Sequence, residues 1–221
     1  MTSAYTVYFA GALFNHKDLM GNAQLASSIE RTSEGRYACI LPQDLEQTTR
    51  RAVDIRNQDL KQVMTCDFAL FNFDGTELDS GTVVEFMFAK FLDIPSVILR
   101  SDFRTSGDQG KDGDDWNLMC SFYPRTRIVQ VNAMAWYQQA RGEGGTLAEV
   151  SQRFYSRIAL IITENLDAVR QEAPLPKGER ADLETLYRWA LRFPGSGFET
   201  YGSEPSFVAQ LLREKRNKGL I

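Results

Sequence analysis

Histidine is almost absent from this chain: His16 is the only one among 221 residues. That scarcity excludes a histidine-rich metal site, and any Ser-His-Asp triad in which His16 does not itself serve. Cysteine is nearly as rare. Cys39, Cys66 and Cys120 are an odd number, form no Cys-x-x-Cys pair and lie in apolar surroundings, so they are expected as buried free thiols. No apolar run approaches the length of a membrane span. The opening Met1-Thr2-Ser3-Ala4-Tyr5-Thr6 also lacks the basic and apolar regions of a signal peptide, so a cytoplasmic protein with no membrane partner is expected. Positive charge is not in excess either. A net charge of -4 and a pI near 5.2 would not draw the surface to a phosphate backbone, which sets nucleic acid aside and leaves a small molecule as the expected partner. Carboxylates remain for catalysis, and their chemistry calls for neither a cofactor nor a metal.

What is present is enough apolar residue, 43%, to bury a full core, as one domain with an appendage or two small domains. Short apolar runs at residues 6–10, 37–41, 68–73, 95–99 and 127–131 read as strands. Helical patterns fall between them at 17–32, 48–64 and 83–92, the second with Ile55, Leu60 and Val63 on one face. Strands alternating with helices predict an α/β fold, a flavodoxin-like, doubly wound, five-stranded parallel sheet with right-handed crossovers. The Gly- and Asp-rich stretch 106–115 is too polar to pack and reads as a mobile surface loop. Gly142-Glu143-Gly144-Gly145 marks a boundary between a catalytic domain, 1–141, and a C-terminal helical extension, 146–221. In the extension Leu147, Val150, Phe154, Ile158, Ile161 and Ile162 recur at helix spacing, as do Leu183, Leu186, Ala190 and Leu191.

The densest signal is Asp79-Ser80-Gly81-Thr82-Val83-Val84-Glu85, which sets two carboxylates six residues apart where a strand's carboxyl end passes into a helix. Ligands bind at that edge of open α/β sheets. Thr82-x-x-Glu85 also reads as a capping box, in which the glutamate reaches back to a free N–H of the helix start. A cap of that kind does not need Asp79.

Four stretches taken together resemble the nucleoside 2-deoxyribosyltransferase family over about residues 4–131. Tyr8-Phe9-Ala10-Gly11 is similar to the family's opening motif, whose tyrosine hydroxyl contacts the catalytic glutamate. Asn57-Gln58-Asp59, followed eight residues later by Asp67, matches the base-binding aspartate and its spacing. Asp79-Ser80-Gly81-Thr82-x-x-Glu85 matches the central motif, with Glu85 in the nucleophile's place and Asp79 in that of the acid holding the sugar. Trp116-Asn117-Leu118-Met119 resembles the segment that one subunit lends to its neighbour's site in family members. The chain departs from the family in two places: Leu13 falls where some members carry a tryptophan near the base, and helices continue to Ile221 where short members end.

The resemblance implies exchange of the 2-deoxyribosyl group between free nucleobases and 2-deoxynucleosides, in a homo-oligomer with shared active sites. Glu85, Asp59 and Tyr8 would then be catalytic, and Asp79, Gly11, Asn117 and Met119 would bind substrate. Two alternatives stay open. One is a 2-deoxynucleoside 5′-phosphate N-hydrolase, and the other a nucleotide-binding module without catalysis.

Overall fold

The computed structural model describes residues 4–45, 51–104, 113–175 and 180–221. Five parallel strands form one sheet: β1 (Tyr5–Ala10), β2 (Tyr37–Ile40), β3 (Phe68–Asn72), β4 (Ser96–Arg100) and β5 (Thr126–Gln130), in the order β2-β1-β3-β4-β5. This is the flavodoxin-like order the sequence predicts. Each strand end falls within a residue or so of its expected place. The chain leaves β1 toward one edge and later returns to the other, so β1 and β3 flank the point where strand order reverses.

Alternation along β1 explains why both faces are covered. Val7 and Phe9 point into one core with α1 (His16–Thr32), while Tyr8 and Ala10 point into the other with α2 (Ala52–Thr65) and α3 (Ser80–Phe91). Asn15 caps α1 by accepting from the N–H groups of Lys17 and Asp18 at 2.9 and 3.2 Å. The helix expected over 48–64 starts later, at Ala52, because Arg51 before it is extended; residues 48–50 lie outside the described residues. So does most of the polar loop expected over 106–115, of which residues 113–115 are described.

The C-terminal helices complete both layers. A short α4 (Ala133–Gly142), not anticipated from the pattern, precedes α5 (Leu147–Arg170). Ile158, Ile162 and Leu166 of α5 join the α1 face of the sheet. The opposite core receives Leu183, Tyr187 and Leu191 of α6 (Arg180–Arg192), and Val208, Leu211 and Leu212 of α7 (Phe207–Asn217). Cys66 and Cys120 are buried and Cys39 partly so, all as free thiols. Among the described residues no helix is long and apolar enough to cross a membrane.

Candidate active site

Tyr8 lies near the carboxyl end of β1 with its ring in the α2–α3 core, and its hydroxyl donates a 2.6 Å hydrogen bond to Oε1 of Glu85 on α3. Burial raises the Tyr8 hydroxyl far above its ordinary range, and the negative charges of Glu85 and Asp59 reinforce the shift, so it stays a donor. Glu85 itself is pushed up to about 7. Burial is the main cause; the Tyr8 donor opposes it, and the charges of Asp59 and Asp79 add to it. Asp59, on α2, is raised to about 6 by burial. A tyrosine and two carboxylates from β1, α2 and α3 thus meet at one end of the sheet, close enough to feel each other's charge. The two carboxyls titrate near neutral pH, the condition general acid–base work requires, while the Tyr8 hydroxyl keeps its proton.

The capping box expected at Thr82-x-x-Glu85 does not form, because the helix starts earlier. Asp79 is the cap: its Oδ2 accepts from the Thr82 N–H at 2.8 Å and from Thr82 Oγ1 at 2.9 Å. Glu85 is thereby left free to face Tyr8. Asp79 keeps Oδ1 for another partner, and its charge still reaches Glu85. Gly11 is buried at the end of β1, where an added Cβ would come within 3.1 Å of Asn72 Cβ, so the close approach of β1 to β3 at the rim favours glycine.

Asn117 and Met119 are not brought to Glu85. Asn117 Oδ1 accepts from the Met119 N–H at 2.9 Å and opens a 3₁₀ turn, Leu118–Cys120, and Met119 is 69% exposed. Both residues line a cleft of about 800 Å³ with residues 75–78, Ser80, Val83 and Val84, on a different face of α3 from Glu85. Successive residues on a helix turn by about 100°, so Ser80, Val83 and Val84 form one stripe and Glu85 leaves it.

One residue of the site region was named in the sequence without its role. Asn57 is 5% exposed and occupies the buried stripe that continues through Leu60 and Met64, a place for an apolar side chain. Its Nδ2 donates to the carbonyl of Ser196 at 3.1 Å. An asparagine within an apolar stripe was the available sign of a buried polar partner; the identity of that partner was not written locally. Among the described residues no cluster of histidine, cysteine and carboxylate side chains could hold a metal ion.

A family model described as nucleoside 2-deoxyribosyltransferase matches residues 7–119. Among solved structures, the chain is similar to a conserved protein from Enterococcus faecalis V583, at 23% identity over 76% of this chain and 96% of that one, with a TM-score of 0.43. A 2-desoxiribosyltransferase from Leishmania mexicana is 22% identical over 56% of this chain and 89% of its own, with a TM-score of 0.44. The corresponding figures for a 2-deoxyribosyltransferase from Bacillus psychrosaccharolyticus are 14%, 66%, 95% and 0.44. No curated protein matches the chain.

Proposed function

Because this chain belongs to the nucleoside 2-deoxyribosyltransferase family, we propose that it transfers the 2-deoxyribosyl group between nucleobases through a covalent Glu85 ester, with net retention. The observation that carries the reading is the Tyr8 hydroxyl held 2.6 Å from Glu85 Oε1, with the Asp59 carboxyl near enough to perturb both. Positive charge builds on C1′ and the ring oxygen as the N-glycosidic bond breaks, and a fixed carboxylate facing C1′ stabilises it and then bonds to it. Tyr8 occupies one Glu85 oxygen and orients the other toward the sugar. The electron pair of the broken bond stays on the base nitrogen, and Asp59 delivers a proton to the base. A second base then attacks C1′ from the face the first one left, releases Glu85 as carboxylate and returns a proton to Asp59, the double displacement that gives retention.

Asn117 and Met119 fit this scheme as residues lent to a neighbouring subunit, since in their own chain they lie across α3 from Glu85. The surface there is apolar: Val84, Met87 and Phe91 of α3 are 57%, 39% and 45% exposed, and Leu118 and Phe122 beside them 47% and 80%. A homo-oligomer with shared sites accounts for both features.

The test is incubation of the full chain with deoxyinosine or thymidine, with and without adenine, and separation of the products. Deoxyadenosine should appear only when adenine is supplied. Free base and deoxyribose in both cases would make the protein a hydrolase, and no reaction in either would favour a binding module.

A further inference from the structure

We propose that residues 195–201, in the C-terminal extension, act as a clamp that positions Asp59 relative to Glu85, with Asn57 and Phe198 as its positioning residues. The proposal rests on the reading of Asp59 and Glu85 given above. Three consecutive residues of this segment, Gly195, Ser196 and Gly197, have positive φ of 60°, 54° and 91°. Glycine adopts that conformation freely, whereas Ser196 is strained in it and must be held.

The holding groups come from the helix that carries Asp59. Asn57 Nδ2 donates to the Ser196 carbonyl at 3.1 Å, and Arg56 Nη2 donates to the Gly195 carbonyl at 3.2 Å. Arg56 Nη2 also donates to Asn57 Oδ1 at 2.7 Å, so the two donors brace each other. Two residues beyond Asp59, the Lys61 ammonium lies 4.5 Å from the centroid of the Tyr201 ring. Asp59 is thus bracketed on both sides by contacts to one segment. On α3 the same segment inserts Phe198, fully buried, edge-on against Phe88 with centroids 6.1 Å apart, and Phe198 in turn packs on Tyr201 at 5.5 Å. Phe88 follows Glu85 by three residues, which places both on the same side of the helix.

Apolar packing alone would hold α2 and α3 together, since Leu60, Met64, Phe88 and Ala89 already share a core with α6 and α7. A buried asparagine adds direction, because its hydrogen bonds are satisfied in one placement only. That placement matters where a base must reach Asp59 while C1′ faces Glu85: a displacement of about 1 Å is enough to cost on the order of a hundredfold in rate.

The experiment compares the unaltered full chain with Asn57→Ala, with the smaller but still apolar Phe198→Leu and, as a control, with Tyr187→Phe. Tyr187 belongs to the same extension but bonds to the Leu92 carbonyl, past the far end of α3. Two donors are used, each with adenine as acceptor: deoxyinosine, whose base needs a proton to leave, and 4-nitrophenyl 2-deoxyriboside, whose leaving group does not. The clamp predicts that kcat/KM for deoxyinosine falls by about tenfold or more in both clamp variants, with the nitrophenyl substrate little changed and no such split in Tyr187→Phe. Equal losses on both substrates would overturn the clamp and leave a merely structural segment. Carboxyl titrations of Asp59 and Glu85 followed by carbon NMR supply a readout independent of turnover. Should the unaltered protein turn over neither substrate, the proposed function falls, and the clamp is decided by the titrations: movement in either clamp variant supports it, and identical curves in all proteins overturn it.

Discussion

In the proposed reaction Glu85 and Asp59 have opposite needs: the first must be ionised to attack C1′, and the second must hold a proton to give to the base. Burial raises Glu85 to about 7 and Asp59 to about 6, so the two carboxyls titrate over the same range and their ionisation is coupled. The expected pH profile of kcat/KM is a bell with limbs near 6 and 7, which belong to the coupled pair. Because the Tyr8 donor pulls Glu85 down, Tyr8→Phe should raise the Glu85 value and move the limb near 7 to higher pH; an unmoved profile would show that Tyr8 does not control the ionisation of Glu85. Stability is linked to the same protons. Both carboxyls are raised on folding, so their contribution is intact below about pH 4 and is lost as pH rises through 6 and 7. Glu85→Ala should abolish transfer and keep the fold. It removes no cap, since Asp79 is the cap, but strands the buried Tyr8 hydroxyl at a cost of about 1–3 kcal/mol, partly offset by the loss of a disfavoured buried carboxylate. Melting curves check that the fold is kept. Intact mass with a slow 2-fluoro substrate checks the loss of transfer: a 2-fluorodeoxyribosyl adduct should appear on the unaltered chain alone.

At the scale of elements, two helices carry the same Thr-x-x-Glu spacing with different outcomes. In α5 the box forms: Glu149 Oε2 accepts from the Thr146 N–H at 2.7 Å, and Thr146 Oγ1 accepts from the Glu149 N–H at 3.4 Å. In α3 it does not, because Asp79 takes the cap three residues before Thr82 and leaves Thr82 inside the helix. Asp79→Ala should therefore cost about 0.5–2 kcal/mol of stability, while Asp79→Ser, itself a good cap, should cost little. That makes serine the clean probe of charge. A 5′-phosphate about 4 Å from the Asp79 carboxylate is disfavoured by roughly 4 kcal/mol at an effective dielectric of 20, near a thousandfold. Arg104, on the loop after β4, is engaged by Asp102, with Nε 2.9 Å from Oδ1, and Lys111 lies outside the described residues. Deoxyadenosine should accordingly be preferred to its monophosphate, and Asp79→Ser should narrow the ratio of specificity constants. A preference of the unaltered chain for the monophosphate would point to the hydrolase instead.

For the molecule as a whole, residues 146–221 are expected to be indispensable for folding. Ile158, Ile162 and Leu166 line one core and Leu183, Leu211 and Leu212 the other, each worth about 1.5–3 kcal/mol when buried. Their loss alone approaches the whole stability of an ordinary domain, about 5–15 kcal/mol. A chain ending at 145 should lack cooperative melting; a well-folded, active fragment would show that the extension is dispensable. The exposed apolar residues of α3 and the turn after Asn117 predict at least a dimer, to be read by sedimentation or light scattering. A monomer with full activity would remove the lent segment from the site.

Much of this was legible in the sequence because it is local or periodic. Alternating runs placed five strands and the helices between them, and the carboxyl ends of β1 and β3 located the rim where Tyr8, Asp59 and Glu85 gather. Where a cap falls was less legible, since Asp79 and Thr82 compete for one helix start and only the path of the chain out of β3 decides between them. The tertiary structure alone decided that Asn117 and Met119 lie across α3 from Glu85, and that Asn57 holds a carbonyl 139 residues away. The physical reason is that a hydrogen bond or packing contact of such separation depends on how whole helices dock, and no spacing within either segment encodes it.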